Sequence, residues 1–532
     1  MRLPLQTRVE SVAVLARRGM LRPIRPDRFA RAGLAFARWG TTPATASIVN
    51  AITRPDQAAV IDSDGPVSWR DLDRRTNAVA RGFAELGLET GERIGILCRN
   101  GVPLVESMVA AVKLGAHALL LNTSFSTAEL EGVLERERPR VLVYDEEFAG
   151  LVGDASLHGA KPVVTGDALA RLRDEQLETA LDPPAEEGRM VILTSGTTGA
   201  PKGARIARAS GLEPLAWFLK VVPIDAGSAC LVPAPLFHAH GLGQFSIASA
   251  LGCTVVLPRV FDAEETLALI ERHRVDVLTV VPTMLKRIMD LDPETRRKYD
   301  TSSLRVAVCS GSALDARLAR SFMEEFGPVL YNLYGSTEVA WATIATPEDL
   351  LQAPGTVGRP PPHTRLAILD ADGRPQPTGA TGHIFVGHEM LFEGYTDPTK
   401  DRARVDGMLT PGDLGHVDEQ GRLFIDSRED DMIVSGGENV YPGQVEEVLR
   451  EHPDVAEAIV IGVDDERFGQ RLAAFVIPRP GSGLTEDDVL SFSREHLARF
   501  KVPREVHLRE DFPRNALGKV LRRELRADKA AS

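Results

Sequence analysis

Cysteine is scarce in this sequence and is not arranged to build a structural site. Only four cysteines occur among 532 residues, and no two of them form a CxxC pair. They are Cys98, Cys230, Cys253 and Cys309, each within an apolar stretch. Disulfide scaffolds and zinc ribbons need dense or closely spaced cysteines, so both classes are excluded. A reducing compartment fits this usage best.

Long hydrophobic runs and a surplus of basic residues are also missing. No apolar run approaches the roughly 20 residues that a membrane-spanning helix needs, and the N-terminus lacks the apolar core and cleavage site of a signal peptide. Lysine and arginine total 62 against 75 aspartates and glutamates, a formal net charge of −13. A dedicated nucleic-acid binder is disfavoured because phosphate contacts need a basic face. The sequence therefore predicts a soluble, cytoplasmic protein.

What is present is the composition of a large globular protein. Hydrophobic residues make up 43% and charged residues 26%, which is ordinary usage for a folded chain. At about 150 residues per domain, the length predicts roughly three to four units. Beyond residue 55 buried strands alternate with amphipathic helices, as in Arg93–Leu97 followed by Pro103–Gly115. This alternation predicts βαβ units and largely parallel sheets.

The distribution of proline, glycine and polar residues along the sequence predicts the domain boundaries. The βαβ pattern pauses at a polar, proline-containing stretch near 182–184 and then resumes, which predicts two βαβ-type subdomains. Residues 354–426 carry short strands punctuated by glycine and proline, typical of an all-β insertion or small barrel. We predict an α/β fold with an N-terminal arm and lead-in (1–54), a large domain (55–429) and a small α+β C-terminal domain (430–532).

The first forty residues are rich in arginine. Nine arginines face only two acids, Glu10 and Asp27, and apolar side chains are interleaved with them. A basic amphipathic segment can lie on an anionic membrane surface. The reading that the pattern favours is an arm that packs on the acidic body of its own chain or of a partner subunit. A transit peptide is a third and weaker alternative.

A loop dense in glycine and hydroxyl groups follows the predicted strand Met190–Leu193. It runs from 194 to 203 with the sequence TSGTTGAPKG. Its backbone N–H groups and hydroxyls can surround an anion and Lys202 adds a cation, which suits a polyphosphate. It is not a Walker P-loop, because Pro201 precedes the lysine and Gly203 follows it. A mobile linker is the alternative.

This loop and five later segments resemble the signature motifs of the adenylate-forming superfamily of acyl-CoA synthetases, adenylation domains and luciferases. In the family's order, the later segments are PLFHAHG (235–241), NLYGSTE (332–338), TPGDLG (410–415), DSREDD with GGENVYP (426–442) and PRNALGK (513–519). The resemblance covers the chain from about residue 55 to its end. It implies that ATP converts a carboxylate to an acyl-adenylate with release of pyrophosphate, and that the thiol of CoA then takes the acyl group and releases AMP.

Particular residues suit this chemistry and take their roles from the resemblance. Tyr334 offers a flat face for adenine, Asn332 an amide for its edge, and Thr337 a hydroxyl for the α-phosphate. Asp413 can accept both ribose hydroxyls, whereas an isolated Pro-Gly-Asp would be an ordinary turn. The residues predicted to bind ATP are Thr194, Ser195, Gly196, Thr197, Thr198, Gly199, Lys202, Gly311, Asn332, Leu333, Tyr334, Gly335, Thr337, Asp413 and Arg428.

Other residues are predicted to hold the metal and to catalyse the reaction. Glu338 supplies the hard oxygen that Mg²⁺ prefers, with Thr194 as a second ligand; alone, this glutamate would be an ordinary capping acid. Lys519 matches the family's catalytic lysine, which offsets the repulsion between carboxylate and phosphate; alone, it would be solvated. His238 is predicted to gate and position, with a core histidine and a general base as alternatives. Arg428 is predicted to contact ribose and phosphate, with a surface ion pair as the alternative.

The acyl pocket is predicted to be apolar. Its candidate residues are Trp217, Phe237, Phe245, Val281 and Met284. No lysine or arginine is placed to meet a second carboxylate, and no aspartate to hold an α-ammonium group. A medium- or long-chain fatty acid is therefore the preferred substrate, with an aryl acid second.

Residues of the predicted C-terminal domain indicate which thiol accepts the acyl group. By resemblance, the CoA-binding residues are Gly436, Gly437, Glu438 and Lys501. Asp430 is the predicted hinge that makes the small domain mobile. The alternatives are a ligase that loads a carrier protein or another nucleophile, and an inactive nucleotide-binding scaffold. A scaffold would be expected to lack Lys519 or Glu338, and both are present. A homodimer and peripheral membrane contact through residues 1–40 remain open.

Overall fold

Helices and strands alternate along most of the chain, as the sequence predicts. The computed structural model describes residues 5–194, 202–207, 209, 211–397, 404–431, 433–435, 438–465, 469–497, 501–515, 518, 520–522 and 524–526. The chain divides into two units. Unit 1 comprises Met1–Pro354, Pro360–Thr364 and Gly387–Ala403, and unit 2 comprises Gly355–Arg359, Arg365–Val386 and Arg404–Ser532. The domain boundaries given above stay predictions.

The elements follow in chain order. The first are α1 (Leu5–Arg17), α2 (Pro26–Trp39), α3 (Pro43–Thr53), β1 (Ala58–Asp62), β2 (Gly65–Ser68), α4 (Trp69–Glu85), β3 (Arg93–Leu97), α5 (Val102–Lys113), β4 (His117–Leu120), α6 (Thr127–Glu137), β5 (Val141–Tyr144), α7 (Ala149–Asp154), β6 (Lys161–Val164), α8 (Asp167–Asp174), β7 (Met190–Thr194) and β8 (Lys202–Arg205). Next come α9 (Glu213–Val221), β9 (Ala229–Leu231), α10 (Ala239–Ala250), β10 (Thr254–Val256), α11 (Ala263–His273), β11 (Val277–Val280), α12 (Pro282–Met289), α13 (Pro293–Arg297), β12 (Val306–Cys309), α14 (Ala316–Phe326), β13 (Leu330–Tyr334), β14 (Thr343–Ala345) and α15 (Pro347–Gln352). The last are β15 (Arg365–Leu369), β16 (Gly382–Gly387), β17 (Gly394–Tyr395), β18 (Asp413–Val417), β19 (Leu423–Arg428), β20 (Ile433–Ser435), β21 (Glu438–Val440), α16 (Pro442–Glu451), β22 (Val455–Asp465), β23 (Gly469–Pro478), α17 (Glu486–His496) and β24 (Glu505–Leu508).

Unit 1 contains two largely parallel sheets, which we call the first and second sheets. The first has the strand order β17-β8-β7-β4-β3-β5-β6, and the second β14-β13-β12-β11-β9-β10-β1-β2. Within the first sheet, only the β7–β8 and β8–β17 pairs are antiparallel among the described strands. The central strands are short apolar runs such as Val277–Val280, buried along its whole length. Strands of parallel sheets are continuously apolar because helices cover both faces of the sheet.

Helix ends in unit 1 follow the local sequence. The side chain of Ser68 accepts a hydrogen bond from the backbone N–H of Asp71 and caps the start of α4, which satisfies one of the free donors of the first turn. The helix ends before Gly87, whose φ of +83° is a conformation that glycine adopts without strain. Among the described residues, every helix is too short or too polar to cross a bilayer.

Unit 2 holds the remaining sheets. One has the order β15-β16-β18-β19, and another has the order β21-β20-β23-β22 with β24 beside β23. The core of the second includes Val440, Val445 and Leu449 beside strand residues such as Val460. The described part of the β-rich stretch predicted over 354–426 contributes strands to two sheets. Its strand β17 pairs with β8 of the first sheet, because Gly394 and Tyr395 lie opposite Arg205 and Ala204.

The N-terminal arm forms two helices that each contact the rest of unit 1. Leu15 of α1 and Trp39 of α2 are buried, and α1 packs on α9 while α2 packs on α3. Arg18 donates from Nε to the carbonyl oxygen of Leu219 over 3.3 Å, and Arg22 donates to that of Ala226 over 2.9 Å. One side of the arm therefore packs on the protein's own body.

Candidate active site

Several predicted site residues lie where parallel strands of the second sheet end. The register pairs Val280 with Cys309 across β11 and β12, and Cys309 with Asn332 across β12 and β13. The residues that follow these strands are therefore neighbours at one edge of the sheet, which is where open α/β sheets bind ligands. Gly311 has φ +100°, and a Cβ atom there would stand 3.4 Å from Val281. The positive φ favours glycine at this position, and the predicted ATP turn lies next to a predicted pocket residue.

The motif 332–338 leads from β13 into a tight turn. Asn332 is buried, and Leu333, Tyr334 and Thr337 are half-buried. A Cβ atom at Gly335 would stand 1.9 Å from the carbonyl oxygen of Ala340. Only glycine fits this close approach, so the structure gives Gly335 a steric role in shaping the turn.

The carboxylate of Glu338 is held by two hydroxyl groups. The Tyr395 hydroxyl donates to Oε1 over 2.6 Å, and the Ser336 hydroxyl donates to Oε2 over 2.8 Å. Glu338 and Tyr395 are only 9% and 3% exposed. The backbone N–H of Phe392 also donates to the Glu338 carbonyl oxygen over 2.9 Å. The side chain and the backbone of this glutamate are thus both fixed from the segment that contains β17.

The predicted phosphate loop joins two paired strands. Antiparallel pairing sets Leu193 opposite Gly203 and residue 194 opposite residue 202, so β7 and β8 form a hairpin. Residues 195–201, which join the two strands in sequence, lie outside the described residues, as do the side chains of Thr194 and Lys202. A Cβ atom at Gly203 would stand 2.7 Å from Thr396 Oγ1. The base of the hairpin therefore lies directly against the segment that also holds Glu338.

The five predicted pocket residues are all buried. They are Trp217 on α9, Phe237 before α10, Phe245 on α10, Val281 before α12 and Met284 on α12. The Trp217 ring lies 4.5 Å from the ring of His363. Among the described residues, Trp217 Nε1, His238 Nε2 and His240 Nδ1 are buried without a hydrogen-bond partner. Trp217 is itself a predicted pocket residue, His238 lies beside Phe237, and His240 bonds to Val280, which precedes Val281. The unpaired ring nitrogens therefore belong to, or lie next to, the apolar pocket residues.

His238 and His240 are neutral at pH 7. Burial lowers the pKa of each imidazole to about 4. His238 stands at the start of α10 with its ring 4.6 Å from that of Phe237. His240 donates from Nε2 to the carbonyl oxygen of Val280 over 3.0 Å, so its Nδ1 carries the lone pair. A base with a pKa near 4 is weak, which fits a positioning role for His238 better than proton abstraction.

In unit 2 the two predicted ribose residues are cross-strand partners. Asp413 on β18 pairs with Arg428 on β19, and Arg428 Nη1 lies 3.5 Å from Asp413 Oδ1. Asp413 is buried, whereas Arg428 is half-buried. The arginine is thus paired with another predicted site residue.

Other predicted residues cannot be placed in full. Residues 195–199, Gly436, Gly437 and Lys519 lie outside the described residues. Asp430 belongs to a short 3-10 turn, Glu429–Asp431, and residue 438 begins β21, but their side chains are not described. Lys501 is half-buried. The roles predicted for these residues stay predictions.

Tyr395 is the site residue that the sequence analysis missed. It follows Glu338 by 57 positions, and no spacing rule links a tyrosine at that distance to a carboxylate. The available signal was the pair Gly394-Tyr395 inside a proline- and glycine-rich stretch, which marks a short strand but not its partner.

Comparison with known proteins settles the family. The model of the AMP-binding enzyme family matches residues 49–396, and that of the AMP-binding enzyme C-terminal domain matches residues 444–519. The chain belongs to the AMP-binding enzyme family. The resemblance to the adenylate-forming superfamily and the α/β fold are thereby confirmed, and the protein is an AMP-forming acid–thiol ligase.

Relatives of this ligase differ in the acid and acceptor that they are named for. The 2-succinylbenzoate–CoA ligase of Geobacillus kaustophilus is 34% identical over 90% of this chain and 96% of its own. The fatty acid–[acyl-carrier-protein] ligase ScoC of Streptomyces coeruleorubidus is 32% identical over 89% and 93%. Among solved structures, the anthranilate CoA ligase AuaEII in complex with anthranoyl-AMP has a TM-score of 0.83 and 27% identity over 92% and 98%.

Proposed function

We propose that this ligase activates an aryl acid with ATP and transfers the acyl group to CoA. Relatives named for 2-succinylbenzoate and anthranilate support an acid with an aromatic ring. The medium- or long-chain fatty acid that the sequence analysis preferred gains less support, although ScoC is named for a fatty acid. The aryl acid, ranked second from the sequence, is the better candidate.

The observation that carries this proposal is the set of unpaired ring nitrogens on or next to the predicted pocket residues. Trp217 Nε1, His238 Nε2 and His240 Nδ1 have no partner among the described residues. A buried polar group without a partner costs about 1–3 kcal/mol. An alkyl chain offers these nitrogens nothing, whereas an aryl acid with an oxygen or nitrogen substituent can accept from Trp217 and bond to an imidazole. The pocket chemistry therefore favours a substituted ring over a plain chain.

Glu338 suits a magnesium ion that accompanies ATP. Its oxygens are hard donors, and the two hydroxyls that hold them still leave lone pairs free. Among the described residues, no group of three or more His, Cys, Asp or Glu side chains could hold a metal ion together. Mg²⁺ commonly binds through one or two carboxylates plus phosphate oxygens and water. A magnesium ion held by Glu338 would supply positive charge against the negative charge that develops on the departing pyrophosphate.

The reaction then proceeds in two steps. An oxygen of the substrate carboxylate attacks the α-phosphorus of ATP, the bond to the bridging oxygen breaks, and pyrophosphate leaves. Lys519 offsets the repulsion between the two anions in this step. In the second step the CoA thiolate attacks the acyl carbon, and AMP leaves with the bonding electrons. His238, neutral at pH 7, positions the reacting groups rather than taking a proton.

The test is pyrophosphate release across a panel of acids. Benzoate, anthranilate, 2-succinylbenzoate, octanoate and palmitate are each supplied with ATP, with and without CoA and with a carrier protein in place of CoA. We expect the substituted aryl acids to give the highest kcat/KM and the thioester to form on CoA. Preference for octanoate or palmitate would refute the aryl assignment, and thioester formation only on the carrier protein would refute CoA as acceptor.

A matched pair of variants tests the pocket nitrogens. Trp217→Phe keeps an aromatic ring but removes the indole N–H, so we expect kcat/KM for a substituted aryl acid to fall about tenfold, the value of one hydrogen bond. Trp69→Phe is the control, because its indole nitrogen is also buried without a partner but lies outside the predicted pocket. Equal effects of the two variants would argue against a contact between Trp217 and the substrate.

A further inference from the structure

The described surface concentrates its exposed apolar side chains in the N-terminal arm. Five of the eight large hydrophobic side chains that are exposed belong to residues 9–34. They are Val9, Val12, Leu21, Phe29 and Leu34, with 54% to 66% of each exposed. Single exposed hydrophobic residues are normal, but a concentration of them marks an interaction surface.

Both arm helices have an inner and an outer side. Leu15 on α1 and Trp39 on α2 are buried against the body, whereas Val9, Val12, Phe29 and Leu34 are exposed. On α2 the small residues Ala30, Gly33 and Ala37 are exposed as well, as are Arg31 and Arg38. A Cβ atom at Gly33 would meet nothing within 4 Å. The body holds the inner side in place and leaves an apolar outer side unpartnered.

The charges near this outer side are almost all positive. Among the residues that the structure describes, Arg8, Arg17, Arg28 and Arg31 pair with no carboxylate. In contrast, Arg38 pairs with Asp182 over 2.8 Å, and Arg18 and Arg22 bond to the body. The whole chain has a net charge of −13, so the cationic character is local to the arm.

We propose that the outer side of the arm binds a lipid surface with anionic headgroups. Apolar side chains on one helix face can enter the headgroup boundary while flanking arginines reach the phosphates. The family model begins at residue 49, so the arm lies outside the part of the chain matched to the shared reaction. The docking role is therefore separate from the ligase chemistry.

A second copy of the chain fits this surface less well. Pairing of two arms would bring their arginines together, and like charges repel. Outside the arm, the described residues expose only three large hydrophobic side chains, Leu177, Val260 and Leu351. Apart from its own arginine-rich arm, a partner copy thus offers no concentrated apolar surface among its described residues.

The binding test is sedimentation of the full chain with vesicles. One set is phosphatidylcholine alone and the other is phosphatidylcholine mixed with phosphatidylglycerol. We expect at least about tenfold tighter binding to the mixed vesicles, since arginines near an anionic surface each contribute about 1 kcal/mol. This binding should weaken as salt rises from about 0.05 M to about 0.5 M, because the Debye length shortens. Equal binding to both vesicle types, or to neither, would overturn the proposal.

Two pairs of variants separate the apolar and charged contributions. Phe29→Ser with Leu34→Ser should lose at least about tenfold in vesicle binding, since burying one such side chain is worth roughly that factor. The control is Leu177→Ser with Val260→Ser, which changes two equally exposed residues outside the arm. Arg28→Gln with Arg31→Gln should lose roughly tenfold. Its control is Arg317→Gln with Arg320→Gln, two exposed arginines with the same spacing on α14.

Sedimentation needs no substrate, so its outcome is independent of the proposed acid. Ligase activity on a water-soluble acid should remain unchanged in all four double variants, which shows that they are folded. Equal loss of binding in the arm variants and their controls would overturn the proposal. A dimer that the arm variants dissociate, without vesicle binding by the unmodified chain, would identify a second copy as the partner instead.

Discussion

Tyr395→Phe tests whether a tyrosine from a distant strand positions the predicted metal ligand. The Tyr395 hydroxyl donates to Glu338 Oε1 over 2.6 Å, and both side chains are buried. Phenylalanine removes only this hydroxyl. The ring can keep its edge contact with Phe392, whose centroid lies 4.9 Å away at an angle of 76°. The change therefore frees one oxygen of the carboxylate with little disturbance of packing.

The expected magnitude follows from the kind of hydrogen bond that is lost. A hydrogen bond to a charged group contributes about 1.5–3 kcal/mol, which corresponds to roughly 10- to 150-fold in rate. Loss of a group that orients a metal ligand typically lowers activity or metal affinity about 10- to 100-fold. We expect adenylation at limiting Mg²⁺ to fall within that range. Higher Mg²⁺ should restore part of the rate, because Ser336 still donates to Oε2.

The assay is single-turnover pyrophosphate release measured over a series of Mg²⁺ concentrations. Tyr299→Phe is the matched control, because the Tyr299 hydroxyl donates to Glu264 over 2.7 Å and neither residue belongs to a predicted site motif. The control should retain the full adenylation rate. Thioester formation from supplied acyl-adenylate should be unchanged in both variants. Full adenylation by Tyr395→Phe at every Mg²⁺ concentration, or an equal loss in the control, would refute the reasoning.

Three further changes test other parts of the reaction and the site. Lys519→Ala should slow adenylation by roughly 10²–10³-fold, the effect of losing one contact to developing charge, and largely spare thioester formation from supplied adenylate; equal losses in the two assays would contradict this role. Asp430→Pro, which fixes φ near −65° at the predicted hinge, should leave single-turnover pyrophosphate release near normal and strongly reduce thioester yield, whereas parallel losses would indicate misfolding. Burial lowers the pKa of His238 and His240 from 6.5 to about 4, so the unfolded chain takes up protons before the folded chain as the pH falls. The contribution of these two neutral histidines to the free energy of unfolding is therefore complete above about pH 6.5 and is lost towards pH 4. Urea unfolding across this window should show a shallower pH slope in His240→Gln, and an unchanged slope would contradict the assignment.

Local pattern was enough to predict the strands and the loops that carry the motifs. The predicted strand Arg93–Leu97 coincides with β3, because a short apolar run between polar segments is typical of a buried strand in a parallel sheet. Glycine at 335 was also informative, since a 1.9 Å approach leaves no room for a side chain, and Gly311 has a positive φ that favours glycine. These features depend on a few neighbouring residues, and that is what a single sequence reveals.

Features that depend on distant residues could not be predicted in this way. The Arg18 contact to the backbone of Leu219 joins positions 201 apart. The strand β17 has only two residues, which is too short a pattern to predict the strand that it pairs with. The lack of hydrogen-bond partners for the ring nitrogens of Trp217 and His238 could not be predicted either. The sequence indicated only an apolar residue and a gating residue at these two positions. The preference for a fatty acid arose from this gap, since the sequence showed the apolar side chains but not the unmet hydrogen bonds.

The pairing of β17 explains how the phosphate loop and Glu338, which lie far apart in sequence, can act together. Strand β8 pairs on one side with β7, which carries the phosphate loop, and on the other side with β17, which carries Tyr395. Next to Tyr395, Thr396 donates to the buried carboxylate of Glu137 over 2.9 Å, which gives the same segment a second fixed contact. A shift of the hairpin would therefore move the hydroxyl that orients Glu338. Groups that stabilise developing charge are most effective when they are fixed before the reaction begins, and a backbone ladder fixes the hairpin base and the glutamate relative to each other.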